Sequence, residues 1–107
     1  MDGNYLEAKK LTFEGLSYAS HPYISGDESF LLFDARQSGN YGSADIYISL
    51  KSENGFTEAI NLGEDINTSD WDAMAMLSPN EDYLFFVRES KEGRDIYWVE
   101  FNVNDYR

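Results

Sequence analysis

Residues 77–99 read LSPNEDYLFFVRESKEGRDIYWV, and this stretch decides how the rest of the chain is interpreted. The runs 83–87 and 95–99 are rich in aromatic and branched side chains, which favour β-strands. A polar, glycine-containing segment joins them as a hairpin. A third strand, residues 71–77, enters through Ser78-Pro79-Asn80-Glu81, where proline stands at the position that a type I turn favours. The stretch therefore predicts three antiparallel strands.

The same pattern occurs once upstream. Residues 25–33 (SGDESFLLF) align with residues 78–86 (SPNEDYLFF) at an offset of 53 residues. Residues 45–48 (DIYI) align with residues 95–98 (DIYW) at an offset of 50 residues. A repeat of roughly this period that contains only short strands is typical of β-propeller blades rather than of helical solenoids.

The repeat predicts an all-β fold in which the blades are four-stranded antiparallel meanders, two per chain. Residues 1–107 form a single two-blade unit. Residues 1–11 are an outer strand, residues 19–62 the first blade, and residues 71–101 three inner strands of the second. The predicted strands are residues 5–11, 19–25, 30–35, 45–51, 56–62, 71–77, 83–88 and 95–101.

The apolar runs 30–33 and 83–86 do not alternate with polar residues. Strands of this kind are buried on both faces. Propeller blades that stack face to face bury both faces of each sheet. A two-layer sandwich does not, because the outer face of each sheet is exposed to solvent.

The composition excludes several classes of partner. Acidic residues outnumber basic ones by 20 to 8, and the formal net charge is -12, which makes binding to nucleic acid or to an anionic membrane surface unfavourable. The chain has no cysteine, so disulfides and thiolate metal sites are excluded. No run reaches the roughly 18 apolar residues of a membrane helix, so we expect no membrane insertion.

The first ten residues, MDGNYLEAKK, lack the apolar core of a secretory signal. The chain as it stands is therefore expected in the cytoplasm. A periplasmic or secreted location is expected if it belongs to a longer protein.

These repeats resemble the PD40 family, the WD40-like propeller repeats of TolB-like proteins. The family pattern is similar to S-P-D-G-x-x-L-x-F, then a glycine-rich hairpin and D-I-Y. The resemblance covers about residues 5–99; Gly26 replaces the turn proline in the first unit, and Asn80-Glu81 replaces Asp-Gly in the second. It implies that the chain encodes about two of six to eight blades. The positions it marks as structural are Ser25, Asp45, Tyr47, Ser78, Asp95 and Tyr97.

Two blades leave two apolar faces uncovered, and repeat proteins generally need three or more units. Residues 5–11 (YLEAKKL) match residues 56–62 (FTEAINL), so the N-terminal strand is able to complete the blade that begins at Trp71. We expect it to do so in a neighbouring copy, giving a homo-oligomer of three or four chains with six or eight blades. The alternative is that the missing blades belong to a longer parent protein.

Ligands of propellers usually bind at the mouth of the central channel, where the innermost strands converge. Aromatic rings with an imidazole and a carboxylate suit a glycan or a peptide, although they can equally cap the core between blades. His21 is the only histidine, so a multi-histidine zinc site within one chain is excluded, and no metal ligand or cofactor is predicted. The candidate ligand-binding residues are Tyr18, Ser20, His21, Tyr23, Trp71, Asp72 and Met74.

Asp45 and Asp95 begin the two D-I-Y strands. Each is a candidate carboxylate for a cation or ligand, but a position that recurs in both units favours a structural hydrogen bond. No nucleophile, base and orienting group occur as a consistent set, so no catalytic residue is assigned.

The sequence thus leaves three functions open. The first is a non-catalytic propeller module that binds protein or a small ligand. The second is a glycan- or peptide-active enzyme, or its propeller domain, with a site at the channel mouth. The third is a propeller fragment without activity of its own.

Overall fold

The structure is a computed structural model that describes residues 7–37 and 42–107. The all-β prediction is confirmed there, because the described residues form antiparallel sheets and one short 3₁₀-helix, Val103–Tyr106. The strands are β1 (Ser17–Ile24), β2 (Phe30–Arg36), β3 (Asp45–Ser52), β4 (Gly55–Phe56), β5 (Ile60–Asn61), β6 (Trp71–Leu77), β7 (Tyr83–Ser90) and β8 (Gly93–Glu100).

The strands form two separate sheets. The first sheet has the order β1-β2-β3-β4, with β5 also paired to β3, and the second sheet has the order β6-β7-β8. Both are antiparallel meanders consistent with propeller blades. Most of the predicted strands agree with the observed ones to within two residues at each end.

Two predicted strands differ from the structure. The strand predicted over residues 56–62 is two short pieces, β4 and β5. The break follows from Thr57, whose side-chain oxygen accepts a hydrogen bond from the Leu50 N–H at 3.0 Å, while its carbonyl accepts one from the Ser49 hydroxyl. In the strand predicted over residues 5–11, residues 7–11 form no strand and are exposed, and residues 5 and 6 lie outside the described residues.

The turns that lead into β2 and β7 reproduce the sequence repeat in atomic detail. The Ser25 and Ser78 N–H groups donate to the carbonyls of Phe30 and Tyr83 at 3.0 and 2.9 Å. Their hydroxyls donate to the side chains of Asp27 and Asn80, respectively. Glu28 and Glu81, at the third position after each serine, have φ angles of 62° and 64°. Glycine adopts this left-handed conformation more readily than glutamate does.

The main hydrophobic core is the seam between the two sheets. Its buried members come from one face of each sheet, from the connection between them and from the C-terminal segment. They are Phe30, Leu32, Ile46, Ile48, Leu62, Ile66, Ala75, Leu77, Leu84, Phe86 and Phe101.

The connection between the sheets is also held by backbone contacts. The Asp72 N–H donates to the Ala44 carbonyl at 3.2 Å, beside a parallel bridge to the start of β6. Gly42 lies directly against the carbonyl oxygens of Thr68 and Asp70, where a Cβ atom would overlap both. Glycine at this position therefore permits the close approach.

The opposite face of the first sheet is covered by the segment that precedes β1. Leu31, Phe33 and Tyr47 pack there with Phe13 and Leu16. The Phe13 ring stacks on Phe33 with their centroids 4.5 Å apart. Both faces of the first sheet are therefore buried, as its non-alternating apolar strands predict.

Neighbouring residues on β7 test which face of the second sheet is internal. Phe86 is buried in the seam, whereas Phe85 is partly exposed on the other face. Phe86→Ala should lower the free energy of unfolding by about 3–5 kcal/mol, because it leaves a cavity in the core. Phe85→Ala should cost less than about 1 kcal/mol in the single chain.

Urea denaturation in dilute solution measures both losses. A loss below about 1 kcal/mol for Phe86→Ala would mean that this ring faces water and that the orientation of β7 is wrong.

Candidate functional site

The buried carboxylate of Asp34, on β2, gathers several of the predicted channel-mouth residues. It accepts hydrogen bonds from the Ser20 hydroxyl at 2.6 Å and from the Met74 N–H at 3.0 Å. The Nδ1 atom of His21 lies 2.9 Å from Oδ2 of Asp34, the oxygen that also accepts from the Met74 N–H. Because Ser20 and His21 belong to the first sheet and Met74 to the second, Asp34 joins the two sheets at this place.

Serine, histidine and aspartate lie together here, but their geometry differs from that of a catalytic triad. In a triad the two ring nitrogens of histidine contact the aspartate and the serine separately. Here Ser20 Oγ and Asp34 both contact Nδ1 of His21, at 3.1 and 2.9 Å. The Ser20 hydroxyl donates to Asp34 at 2.6 Å, so the histidine does not stand between the serine and the aspartate. The serine is therefore not activated by this histidine.

The backbone at this site is strained in a way that repeats. His21 and Met74 have positive φ angles of 52° and 58°, and each lies at a register shift between the innermost strand and its neighbour. The two residues are 53 positions apart, the same offset as the turns. A bulge that recurs in both units belongs to the scaffold and is not by itself a sign of activity.

Asp72 is fully buried away from this group. Its carboxylate accepts hydrogen bonds from the Arg88 Nε at 2.7 Å and from the backbone and side chain of Thr68, both at 2.8 Å. Arg88 also donates to the Ile66 carbonyl at 3.0 Å. With these partners, Asp72 holds the connection between the sheets against β7 and is not available to a ligand.

Of the remaining channel-mouth residues, only Trp71 lies near His21. Its ring meets the imidazole edge-on at 6.4 Å between centroids, and the Arg94 guanidinium lies 5.4 Å from its centroid. Tyr18 is highly exposed, with the Arg36 guanidinium over its ring, and Tyr23 packs against the seam. The structure thus brings Ser20, His21, Trp71 and Met74 together and separates the other three predicted residues.

Sequence reasoning missed Asp34 and Arg88, which satisfy the buried polar groups here. The signal for Asp34 was present, because it directly follows the apolar run 30–33 in a strand buried on both faces. A carboxylate in such a strand requires hydrogen-bond partners. Arg88 gave no comparable signal, since it ends the predicted strand 83–88 and arginine side chains are mostly exposed to solvent.

The two repeated aspartates have different surroundings. Asp45 is buried and accepts hydrogen bonds from the Gly42 N–H at 3.2 Å and from the Asn61 side chain at 2.9 Å. Asp95 is exposed on β8. The associated tyrosines differ as well: the Tyr47 hydroxyl donates to Gln37, whereas the Tyr97 ring lies 4.4 Å below the Arg88 guanidinium. Burial raises the pKa of the Tyr47 hydroxyl above its ordinary value.

A second candidate site is a surface rather than a cluster. We call it the outer face of the second sheet, the side that points away from the seam. Tyr83 and Trp98 form an edge-on aromatic pair on it, 5.4 Å between centroids. Its large exposed side chains are Met76, Tyr83, Phe85, Ile96 and Trp98.

The repeat shows what this face corresponds to. Ile96 is 76% exposed and Trp98 is 60% exposed, yet Ile46 and Ile48, at the matching positions of the first sheet, are completely buried in the seam. The same holds for the preceding strand, where Phe85 matches the buried Leu32. The outer face therefore has the composition of a seam without a covering sheet.

Some kinds of site are absent from the described residues. Among residues 7–37 and 42–107, no group of three or more histidine or acidic side chains is arranged to hold a metal ion. In the same part of the chain, no helix is long and apolar enough to cross a membrane.

The chain was also compared with known proteins. No family model, no curated protein and no solved structure matches it. The resemblance to PD40 repeats therefore stays a prediction from the sequence.

Removing the Asp34 carboxylate tests whether it holds the two sheets together. Asp34→Ala leaves the donors of Ser20, His21 and Met74 without their acceptor, so it should cost roughly 2–4 kcal/mol of unfolding free energy. The exposed Asp65→Ala variant is a matched control and should change stability by less than about 0.5 kcal/mol. Urea denaturation measures both, and equal small losses would show that the Asp34 network does not stabilise the fold.

Proposed function

We propose that this chain is a non-catalytic β-propeller module whose outer face packs against a further blade supplied by another copy of the chain. The observation that carries the proposal is the contrast between matched positions of the repeat. The same apolar positions are buried where a second sheet covers them and exposed where none does.

The cluster of exposed hydrophobic side chains on the outer face favours assembly. Contiguous large hydrophobic side chains on a monomer mark sites of protein association, and aromatic residues are enriched at the centres of interfaces. Tyr83, Phe85 and Trp98 line one shallow depression on the outer face, which gives a neighbouring sheet a place for its own side chains.

A second copy offers a matching partner surface. In the seam, the first sheet packs against the face of the second sheet that carries Leu84 and Phe86. By the offset of 53 residues, Leu31 and Phe33 are their counterparts on the first sheet. In the single chain Phe13 and Leu16 already cover Leu31 and Phe33, so the outer face of one copy would contact this covering segment of the next copy. This contact joins two different surfaces, so it generates a ring when the rotation closes.

The Asp34 network supports a non-catalytic role. The Ser20 hydroxyl donates to the Asp34 carboxylate, and Nδ1 of His21 contacts the same carboxylate, so the histidine is not placed between the other two as an activated serine requires. His21 and Trp71 are the predicted channel-mouth residues that remain placed to contact a protein or small ligand. Closure of a ring would repeat them around the axis and strengthen weak binding through multivalency.

The mass of the chain in solution tests the assembly. Size-exclusion chromatography with light scattering should give three or four times the 12.3 kDa of the single chain. The double variant Ile96→Glu, Trp98→Glu should remain folded and run as a monomer, because it places charges on the outer face. Tyr18→Glu, an equally exposed aromatic position on the first sheet, should assemble as the parent chain does.

A folded parent chain that stays monomeric up to high concentration would contradict the proposal. So would an assembly that tolerates both charges on the outer face.

A further inference from the structure

We propose that Lys10 of one copy forms an ion pair with Asp95 of the next, where residues 7–11 add a strand to the free edge of β8. This inference rests on the proposed assembly and specifies its register. The argument uses the pairing that the first sheet already contains.

The first sheet provides the template. There β5 pairs with β3, with Asn61 opposite Tyr47 and Ile60 opposite Ile48. The Asn61 side chain donates to the Asp45 carboxylate at 2.9 Å. In addition, the Leu62 N–H donates to the Ile46 carbonyl at 3.1 Å. An outer strand thus satisfies both the edge of β3 and its aspartate.

The two offsets of the repeat transfer this pairing to the second sheet. Residues 5–11 match residues 56–62 at an offset of 51, which puts Lys10 at the position of Asn61. Residues 95–98 match residues 45–48 at an offset of 50, which puts Asp95 at the position of Asp45. Lys10 would then lie opposite Tyr97, with its ammonium group directed to the Asp95 carboxylate.

Both parts of this contact are accessible in the single chain. Within the described residues, β8 pairs only with β7, so its other edge carries backbone groups available to another strand. Asp95 is exposed on this strand. Residues 7–11 are exposed and outside any strand, so they can pair without first breaking a sheet.

One pair of opposite charges is available at this edge. The chain has only eight basic residues against twenty acidic ones, and two of the eight are the adjacent Lys9 and Lys10. Lys10 would meet Asp95, whereas the same register places Glu7 opposite Glu100. In a chain of net charge -12, copies repel one another at long range, so a local pair of opposite charges at the contact favours a single register.

The template is not reproduced in full. Asn67 bonds both backbone groups of Ile46 through its side-chain amide, at 2.7 and 3.0 Å. At the offset of 51, Leu16 stands in its place and cannot make these bonds. The second sheet therefore lacks a counterpart of the Asn67 contacts. It keeps a counterpart of the contact between Asn61 and Asp45, with Lys10 in place of Asn61.

Charge reversal tests the pair. Lys10→Glu and Asp95→Lys should each weaken assembly roughly tenfold, because each places like charges together. The double variant Lys10→Glu, Asp95→Lys should recover the parent affinity. A 1:1 mixture of the two single variants should recover it fully in a four-chain ring, where the variants alternate, and partly in a three-chain ring, where one contact keeps like charges. Light scattering across a dilution series measures these affinities.

Lys9→Glu is the matched control, because in this register Lys9 lies opposite Trp98 with its side chain on the other face of the strand. Asp95→Lys should not rescue it. If the parent chain does not assemble, the proposed function falls. If it assembles but the Lys10 and Asp95 reversals have no effect or do not compensate each other, assembly stands and only this register is wrong.

Discussion

Both sheets of this molecule are apolar on two faces, and one seam between them buries only one face of each. This constraint explains the rest of the structure. In the first sheet, the second face is covered by Phe13 and Leu16 from the segment that precedes β1. In the second sheet, no described residue covers the outer face, and Ile96 and Trp98 remain exposed. The second sheet therefore exposes an apolar face of the kind that the seam buries in the first sheet.

The architecture was predictable because the two units of the sequence repeat have matching residues at several positions, and matching residues form the same local structure. Ser25 and Ser78, with Asp27 and Asn80, make the same turn, and the strands after each turn have the same apolar pattern. The break in the strand predicted over residues 56–62 was not predictable from that pattern. It depends on the hydrogen bonds that Thr57 makes with Ser49 and Leu50 of β3, and the pattern of apolar and polar residues does not indicate them.

The residues that meet at the candidate site were harder to predict from the sequence than the fold was. The innermost strands were identified, but whether their side chains converge depends on the bulges at His21 and Met74, which no local sequence signal marks. Asp34 and Asp72 each occur in one unit only, so the repeat gives no second copy for comparison. Their buried partners belong to both sheets or to the connection between them, and such contacts exist only after the sheets have packed.

The central claim is that the outer face and edge of β8 are the binding surface for another copy. Amide hydrogen exchange resolved along β8 at several protein concentrations tests it most directly. By analogy with β3, the Trp98 amide points to the free edge and would donate to the added strand, whereas the Tyr97 amide faces β7. The account predicts that protection of the Trp98 amide rises with concentration while the Tyr97 amide stays protected throughout. Rapid exchange of the Trp98 amide at every concentration would contradict it.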